Sequence, residues 1–404
     1  MTYRVPYAQA SYTLTNAEVA AVVRTLQNPA RLVAGPQIAE FEDRIRTVLG
    51  MRAGVMVNSG SSANLIALLA LKHLHGIQDG ATVLTPVLTG GWIVGPILQA
   101  GLKPVFCDVE PGTYVASPSE IRRRVAEAKP AILLYPLLLG NSADLIRLAP
   151  ELRDAGIPVL VDSCDTLNPP LSPTLFKVAD AVTTSFYASH IITAAGGGGM
   201  ACFRNDKAAD HARMIAYWGR QSISFGDADD LERRFQYEID GIPYDAKFVF
   251  AEEGYNVQPL ELQAAFGLVQ LDQLGYRIKE RRARFAEITA FLDPYRDWLQ
   301  LPIQPNPTAP VWLAYPITIM PGAPFTRMEL ARHLEENGVQ TRPIMGGNIL
   351  RQPAFRYLRN GKDEYLVADY IMRHGLMFGC HESLRPDQMT HLRDTFLEFL
   401  GGYG

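Results

Sequence analysis

The sequence predicts an α/β fold in which a large, mostly parallel sheet is covered by helices and followed by a smaller α+β unit. Two observations carry this reading. From about residue 15 to about residue 250, short apolar runs alternate with stretches of helical spacing, the order expected of parallel strands joined by helices. After that the order changes: a long helical pattern leads through a proline-rich stretch into a separate compact segment. Gly54–Asn58, Thr82–Thr85, Lys103–Asp108, Ala131–Tyr135, Pro158–Asp162 and Ala181–Phe186 have the composition of buried strands. Between them, Ala63–His75, Ile93–Ala100, Pro118–Glu127 and Leu145–Ala155 space their apolar residues as helices do. Pro259 to about Phe291 reads as one connecting helix, and Pro302–Pro310 as a linker. Val311–Ile319 is strand-like and Arg327–Asn337 helix-like. The expected domains are therefore residues 1–258 and 259–404.

The chain has 404 residues, 48% hydrophobic and 20% charged, enough to bury a large core. A net charge of −4 and a pI near 6.1, with scattered Lys and Arg, leave no footprint for nucleic acid or an anionic membrane. The N-terminal stretch lacks the basic and apolar regions of a signal peptide, and no apolar run reaches membrane-spanning length, so a cytoplasmic location is expected. Cys107, Cys164, Cys202 and Cys380 lie far apart and form no CxxC pair, which suggests neither a disulfide framework nor a zinc site.

Four segments carry chemistry. Val57-Asn-Ser-Gly-Ser-Ser-Ala-Asn64 follows a strand and opens a helix, so Gly60, Ser61 and Ser62 can close around a phosphate at the positive helix end, or form a plain capped turn. Asp162 ends a hydrophobic strand, with Asp165 three residues on. A carboxylate there suits a protonated ring nitrogen, or serves as a helix cap or metal ligand, the commoner fate of a strand-end aspartate taken singly. Ser185-Phe-Tyr-Ala-Ser-His190-Ile-Ile-Thr precedes a run of four glycines, which permits close backbone approach to a ligand; Ser185 can reach phosphate, and His190 is either functional or a hydrogen-bonded core residue. Gly254-Tyr-Asn256 offers an amide donor, or a helix cap.

In this order and at these separations, the segments resemble the DegT/DnrJ/EryC1/StrS family of sugar aminotransferases. The likeness extends to Val5-Pro-Tyr, Phe41-Glu-Asp, Gly112-Thr-Tyr and Leu262-Gln-Ala-Ala. It implies a fold-type I, aspartate aminotransferase-like architecture with a seven-stranded sheet, and pyridoxal or pyridoxamine phosphate as cofactor. Asp162 then serves the ring nitrogen, with Gly60, Ser61, Ser62, Ser185 and Asp165 around the cofactor. Asn256 reaches the phosphate of a second subunit in a homodimer. His190 stands where the family has the lysine that tethers the cofactor, and imidazole cannot form that bond. Within the family this exchange marks 3-dehydratases of nucleotide-linked 4-keto-6-deoxyhexoses, with Gly347-Asn-Ile-Leu-Arg-Gln-Pro353 a further likeness to that branch.

The resemblance implies that His190 acts as base and Asp162 keeps the ring protonated while the C3 hydroxyl leaves; glutamate then restores the amine form. One kind within the branch carries an iron–sulfur cluster on four cysteines and is served by a reductase. Here Cys164 matches a first ligand, but Ser222 and Ser224 stand at the next two positions, so no cluster is expected. The cluster-free kind, acting on GDP-linked 4-keto-6-deoxymannose, is the better match. Two departures stand out. The family's stacking aromatic is replaced by Gly90-Gly91-Trp92, leaving Trp92 to reach back or to pack in the core, and its Gly-Glu-Gly-Gly has become Ala195-Gly-Gly-Gly-Gly199. Arg220 and Arg351 are candidates for a diphosphate, or ordinary surface arginines. A non-catalytic or sugar-binding relative, and a dehydratase using an external reductase, are the alternative readings.

Overall fold

The computed structural model describes residues 3–8, 15–29, 31–142, 145–220, 231–304, 310–361 and 364–403. Seven strands, β1 (Ala53–Val57), β2 (Thr82–Pro86), β3 (Lys103–Cys107), β4 (Ile132–Pro136), β5 (Val159–Asp162), β6 (Ala181–Ser185) and β7 (Gly199–Phe203), form one sheet in the order β1-β7-β6-β5-β4-β2-β3. Neighbours are parallel except at β7, which runs antiparallel to both β1 and β6. Both faces are covered: Met56, Leu84, Leu133, Val161 and Val182 join one core, while Val55, Val83, Ile132, Leu160 and Ala181 join the other. Continuous apolar runs are what strands buried on two sides require.

Six strands fall where the sequence places them; β7 is an addition. Its first residue belongs to the glycine run, which reads as a ligand-facing loop, whereas the run ends in a strand. Glycine is needed there because a Cβ on Gly199 would lie 2.3 Å from the Ser59 carbonyl oxygen. Two helices expected as single pieces are broken. Leu145–Ala155 divides into a 3₁₀ turn at Leu145–Arg147 and a helix at Ala149–Asp154, since Pro150 has no N–H to continue the earlier turn but suits a helix start. The connecting helix divides into Glu261–Asp272 and Leu274–Leu292 at Gln273, whose ψ of 0° departs from helical geometry. Gly275, a poor helix former, adjoins the break.

A hairpin, β8 (Tyr237–Ile239) and β9 (Ile242–Tyr244), turns at Asp240-Gly241, both at positive φ. Beyond the connecting helices, β10 (Leu299–Gln300), β11 (Tyr315–Ile319), β12 (Thr341–Arg342) and β13 (Gly375–Phe378) form an antiparallel sheet in the order β10-β11-β13-β12. Helices Arg327–Glu336, Leu366–His374 and Pro386–Gly401 accompany this second sheet, giving the expected α+β unit. A buried triad joins it to the connecting helix: Arg281 Nε lies 2.9 Å from Glu382 Oε2, and Arg277 holds the other carboxylate oxygen. Among the described residues no helix is long and apolar enough to cross a membrane.

Candidate active site

A cleft of about 500 Å³ opens where the carboxyl ends of β1, β5 and β6 meet the end of β12 and the loop that follows it. Parallel strands direct their ends and the following turns to one edge, which is where α/β sheets bind ligands. Ser59 caps the helix Gly60–Leu74, its Oγ accepting from the Ser62 N–H at 3.1 Å, while Ser62 Oγ donates to Asn58 at 2.7 Å. Ser59, Gly60 and Ser61 line the cleft beside Ser185 at the end of β6. Gly60 has to be glycine: a Cβ there would lie 2.7 Å from Ser185 Cβ and 3.0 Å from Cys164 Sγ. The helix start is thus pressed against Ser185, and together they form a small-residue cradle at the positive end of the helix.

Asp162 sits buried at the end of β5. Its Oδ2 accepts from Asn64 Nδ2 at 2.6 Å and its Oδ1 from the Cys164 N–H at 2.8 Å. Burial nevertheless raises its carboxyl, because two neutral donors do not replace lost water or a cation. Asn64 is in turn fixed by Thr183 on β6, which donates to Asn64 Oδ1 at 2.6 Å. Asp165 lines the cleft, accepts from the Leu139 N–H at 2.8 Å, and is pushed up to about 7 by burial, with the charge of Asp162 adding to this.

His190 faces Asp165, with Nε2 3.8 Å from Asp165 Oδ1. Only 16% of its side chain is exposed. Burial lowers its imidazole to about 4; the Ser185 carbonyl opposes this in part, and the charge of Arg281 adds to it. Nδ1 is buried with no well-formed hydrogen bond among the described residues. The edge of the Tyr187 ring approaches the imidazole, with centroids 6.1 Å apart.

Trp92 reaches back rather than into the core: the residue is 46% exposed, lines the cleft and lies over Gly90, where a Cβ would be 2.4 Å from the indole. Asn256 is exposed and lies outside the lining of its own chain's cleft. Arg220 and Arg351 also lie outside that lining. Arg220 stacks over Trp218 at 4.5 Å, and Arg351 pairs with Asp369 in a separate cleft of the smaller unit. The arginine that does line the site is Arg342 on β12, with its guanidinium 5.8 Å from the centre of the Tyr7 ring. Tyr7, Asn64 and Arg342 escape the sequence reading; Val5-Pro-Tyr7 and the motif ending in Asn64 contain two of them, whereas nothing around Arg342 announces a site. Cys164 Sγ borders the cradle, the other three cysteines are buried and free, and Ser222 and Ser224 lie outside the described residues.

These residues fit a vitamin B6 phosphate. The glycine cradle suits its phosphate, the buried Asp162 lacks the cation that a protonated ring nitrogen provides, and Trp92 offers a ring face. The fold and this constellation define a class, and the chain belongs to the DegT/DnrJ/EryC1/StrS aminotransferase family, whose profile matches residues 13–396. It is similar to the dTDP-4-dehydro-2,6-dideoxy-D-glucose 3-dehydratase of Saccharopolyspora spinosa, 31% identical over 379 residues, covering 92% of this chain and 81% of that one. It is 28% identical over 394 residues to the GDP-4-keto-6-deoxy-D-mannose 3-dehydratase of Yersinia pseudotuberculosis, covering 95% and 96%. Among solved structures, the E. coli GDP-4-keto-6-deoxy-D-mannose-3-dehydratase with bound hydrated PLP superposes with a TM-score of 0.82 at 22% identity, covering 98% of this chain and all of that one. Relatives that match also include a sugar 4-aminotransferase.

Proposed function

We propose that this protein removes the C3 hydroxyl of a nucleotide-linked 4-keto-6-deoxyhexose. The carrying observation is His190: an imidazole, unable to tether a carbonyl cofactor, faces the cleft where the family has lysine. In the net reaction glutamate supplies the two electrons: it leaves as 2-oxoglutarate and ammonia while the C3–O bond becomes C3–H. When bound, pyridoxamine phosphate supplies the amine that meets the C4 ketone and a ring that accepts electrons.

The chain's own residues do the rest. Gly60, Ser61 and Ser185 hold the phosphate through N–H and hydroxyl groups, and Ser62, outside the lining, braces the turn through Ser59 and Asn58. Asp162 holds a proton at the ring nitrogen, fixed for that task by Asn64 and Cys164. Neutral above about pH 4, His190 accepts a proton at Nε2 and returns it, with Asp165 orienting the imidazole. Arg342 meets the anionic part of the substrate; Arg220 and Arg351 remain candidates from further out. The proposal includes a homodimer in which Asn256, exposed and outside its own cleft, completes the partner's phosphate site, and it includes no iron–sulfur cluster.

The test is incubation with pyridoxamine phosphate, glutamate and a panel of nucleotide 4-keto-6-deoxyhexoses, followed by mass spectrometry. Loss of the C3 oxygen with release of ammonia and 2-oxoglutarate is expected, and His190→Asn should slow it by at least ~100-fold. A product that keeps the C3 oxygen and gains nitrogen would reassign the protein as an aminotransferase. Stoichiometric iron and sulfide in the purified protein would replace the cluster-free route with one fed by a reductase.

A further inference from the structure

Outside the cleft, two imidazoles and one carboxylate converge. His73 lies in the last turn of Gly60–Leu74 and His211 in the helix Asp206–Ala216, and these two helices pack together. Their rings stack with centroids 3.8 Å apart and planes 17° from parallel. Glu252 closes the group, with Oε2 2.7 Å from His211 Nε2 and Oε1 3.5 Å from His73 Nδ1. One potential ligand atom from each of the three residues lies within 4.8 Å of the others.

The group is held in place by backbone. Gly219, at φ 75°, passes so close to Glu252 that a Cβ would lie 1.9 Å from the Glu252 carbonyl oxygen; a Cβ on Gly254 would lie 2.2 Å from the Gly219 nitrogen. The Ala251 N–H donates to the Gly219 carbonyl at 2.8 Å and the Tyr255 N–H to the Ile215 carbonyl at 2.7 Å. Glu252 is thereby fixed against the end of the helix that carries His211. His211 is 8% exposed and its Nδ1 is buried without a partner among the described residues.

We propose that His73, His211 and Glu252 form a divalent cation site of the zinc class, with water as fourth ligand. Two nitrogens and one carboxylate oxygen are a set zinc accepts, and here one such atom from each residue already lies within 4.8 Å of the others. Tetrahedral bonds of about 2.0–2.1 Å place ligand atoms roughly 3.3–3.5 Å apart. The 2.7 Å contact must therefore open, and the widest separation, up to 4.8 Å, must close by as much as about 1.3–1.5 Å. His73 and Glu252 have room for their side chains to reorient on a fixed backbone, being 56% and 37% exposed, while the His211 side chain is buried. A cleft of about 540 Å³ gives the cation a way in. Its consequence is structural: the cation would pin Glu252 and hence the segment leading to Asn256.

The experiment uses tag-free, full-length protein dialysed against EDTA and then titrated with zinc chloride, read by calorimetry and by metal analysis after gel filtration. One zinc per chain is expected, with binding weakened at least tenfold in both Glu252→Gln and His73→Ala. These are rim residues whose replacement leaves the helices packed. His75→Ala, altering an exposed neighbour outside the group, should bind as the wild type does. Absence of a stoichiometric zinc, or equal binding by wild type and E252Q, overturns the site.

Discussion

Two side chains 3.8 Å apart, His190 and Asp165, are displaced by burial in opposite directions, and this gives the cleft a pH signature. Between about pH 4 and 6.5 the unfolded His190 carries a proton that the folded one refuses, so its contribution to stability rises with pH and levels off above that window. Asp165 does the reverse. The unfolded carboxyl ionises near its usual value while the folded one keeps its proton to about 7, so stability falls between about pH 4 and 7. Asp165→Asn preserves an acceptor for the Leu139 N–H and removes the ionisation. Urea unfolding of the cofactor-free protein should therefore find D165N more stable than wild type by about 2–4 kcal/mol at pH 8 and equal to it near pH 4. A difference that does not grow with pH would mean that Asp165 ionises like a solvated carboxyl. The residues that a sequence reader can place here, His190, Asp162 and Ser185, sit in short segments at strand ends. Arg342 and Tyr7 cannot be placed that way, because they reach the cleft from opposite ends of the chain and meet only through folding.

At the scale of elements, the sheet was legible wherever an apolar run was continuous, and illegible where glycine did two jobs at once. The run Gly196–Gly199 signals both close approach and flexibility, and nothing in its composition announces that it leads into β7. Gly60 is the clearer case, since its function follows from contact. The helix Gly60–Leu74 can approach β6 only because no side chain separates residue 60 from Ser185 and Cys164. Gly60→Ala inserts a methyl at 2.7 Å from Ser185 Cβ, so either the helix start or the end of β6 must shift. A stability loss of about 1–3 kcal/mol is expected, with pyridoxal phosphate affinity reduced at least tenfold in an absorbance titration. Undiminished affinity would show that the cradle tolerates a wider helix-to-strand spacing, and that phosphate is held elsewhere.

For the whole molecule, the question is what holds the smaller sheet against the large one so that Arg342 and Met345 line the same cleft as Ser59 and His190. The connecting helix Leu274–Leu292 lies between them, and its Arg277 and Arg281 share Glu382, which follows β13; all three are buried. Arg281 also donates to the carbonyls of Trp312 and Leu313, at 3.3 and 3.1 Å, and Leu313 lines the cleft. Two buried guanidiniums around one carboxylate form an arrangement whose net worth is small while intact but whose disruption is severe, because a buried charge then lacks its partner. Glu382→Gln should cost about 3–5 kcal/mol in urea unfolding. It should also reach the cleft: with its anion gone, Arg281 exerts more of its charge on His190, and the Leu313 contact loosens. Pyridoxal phosphate affinity is therefore expected to fall along with stability, although residue 382 touches neither cradle nor imidazole. An E382Q protein that loses stability but binds the cofactor as tightly as wild type would separate domain attachment from cleft geometry. One that keeps its stability would show that the triad does not hold the two sheets together.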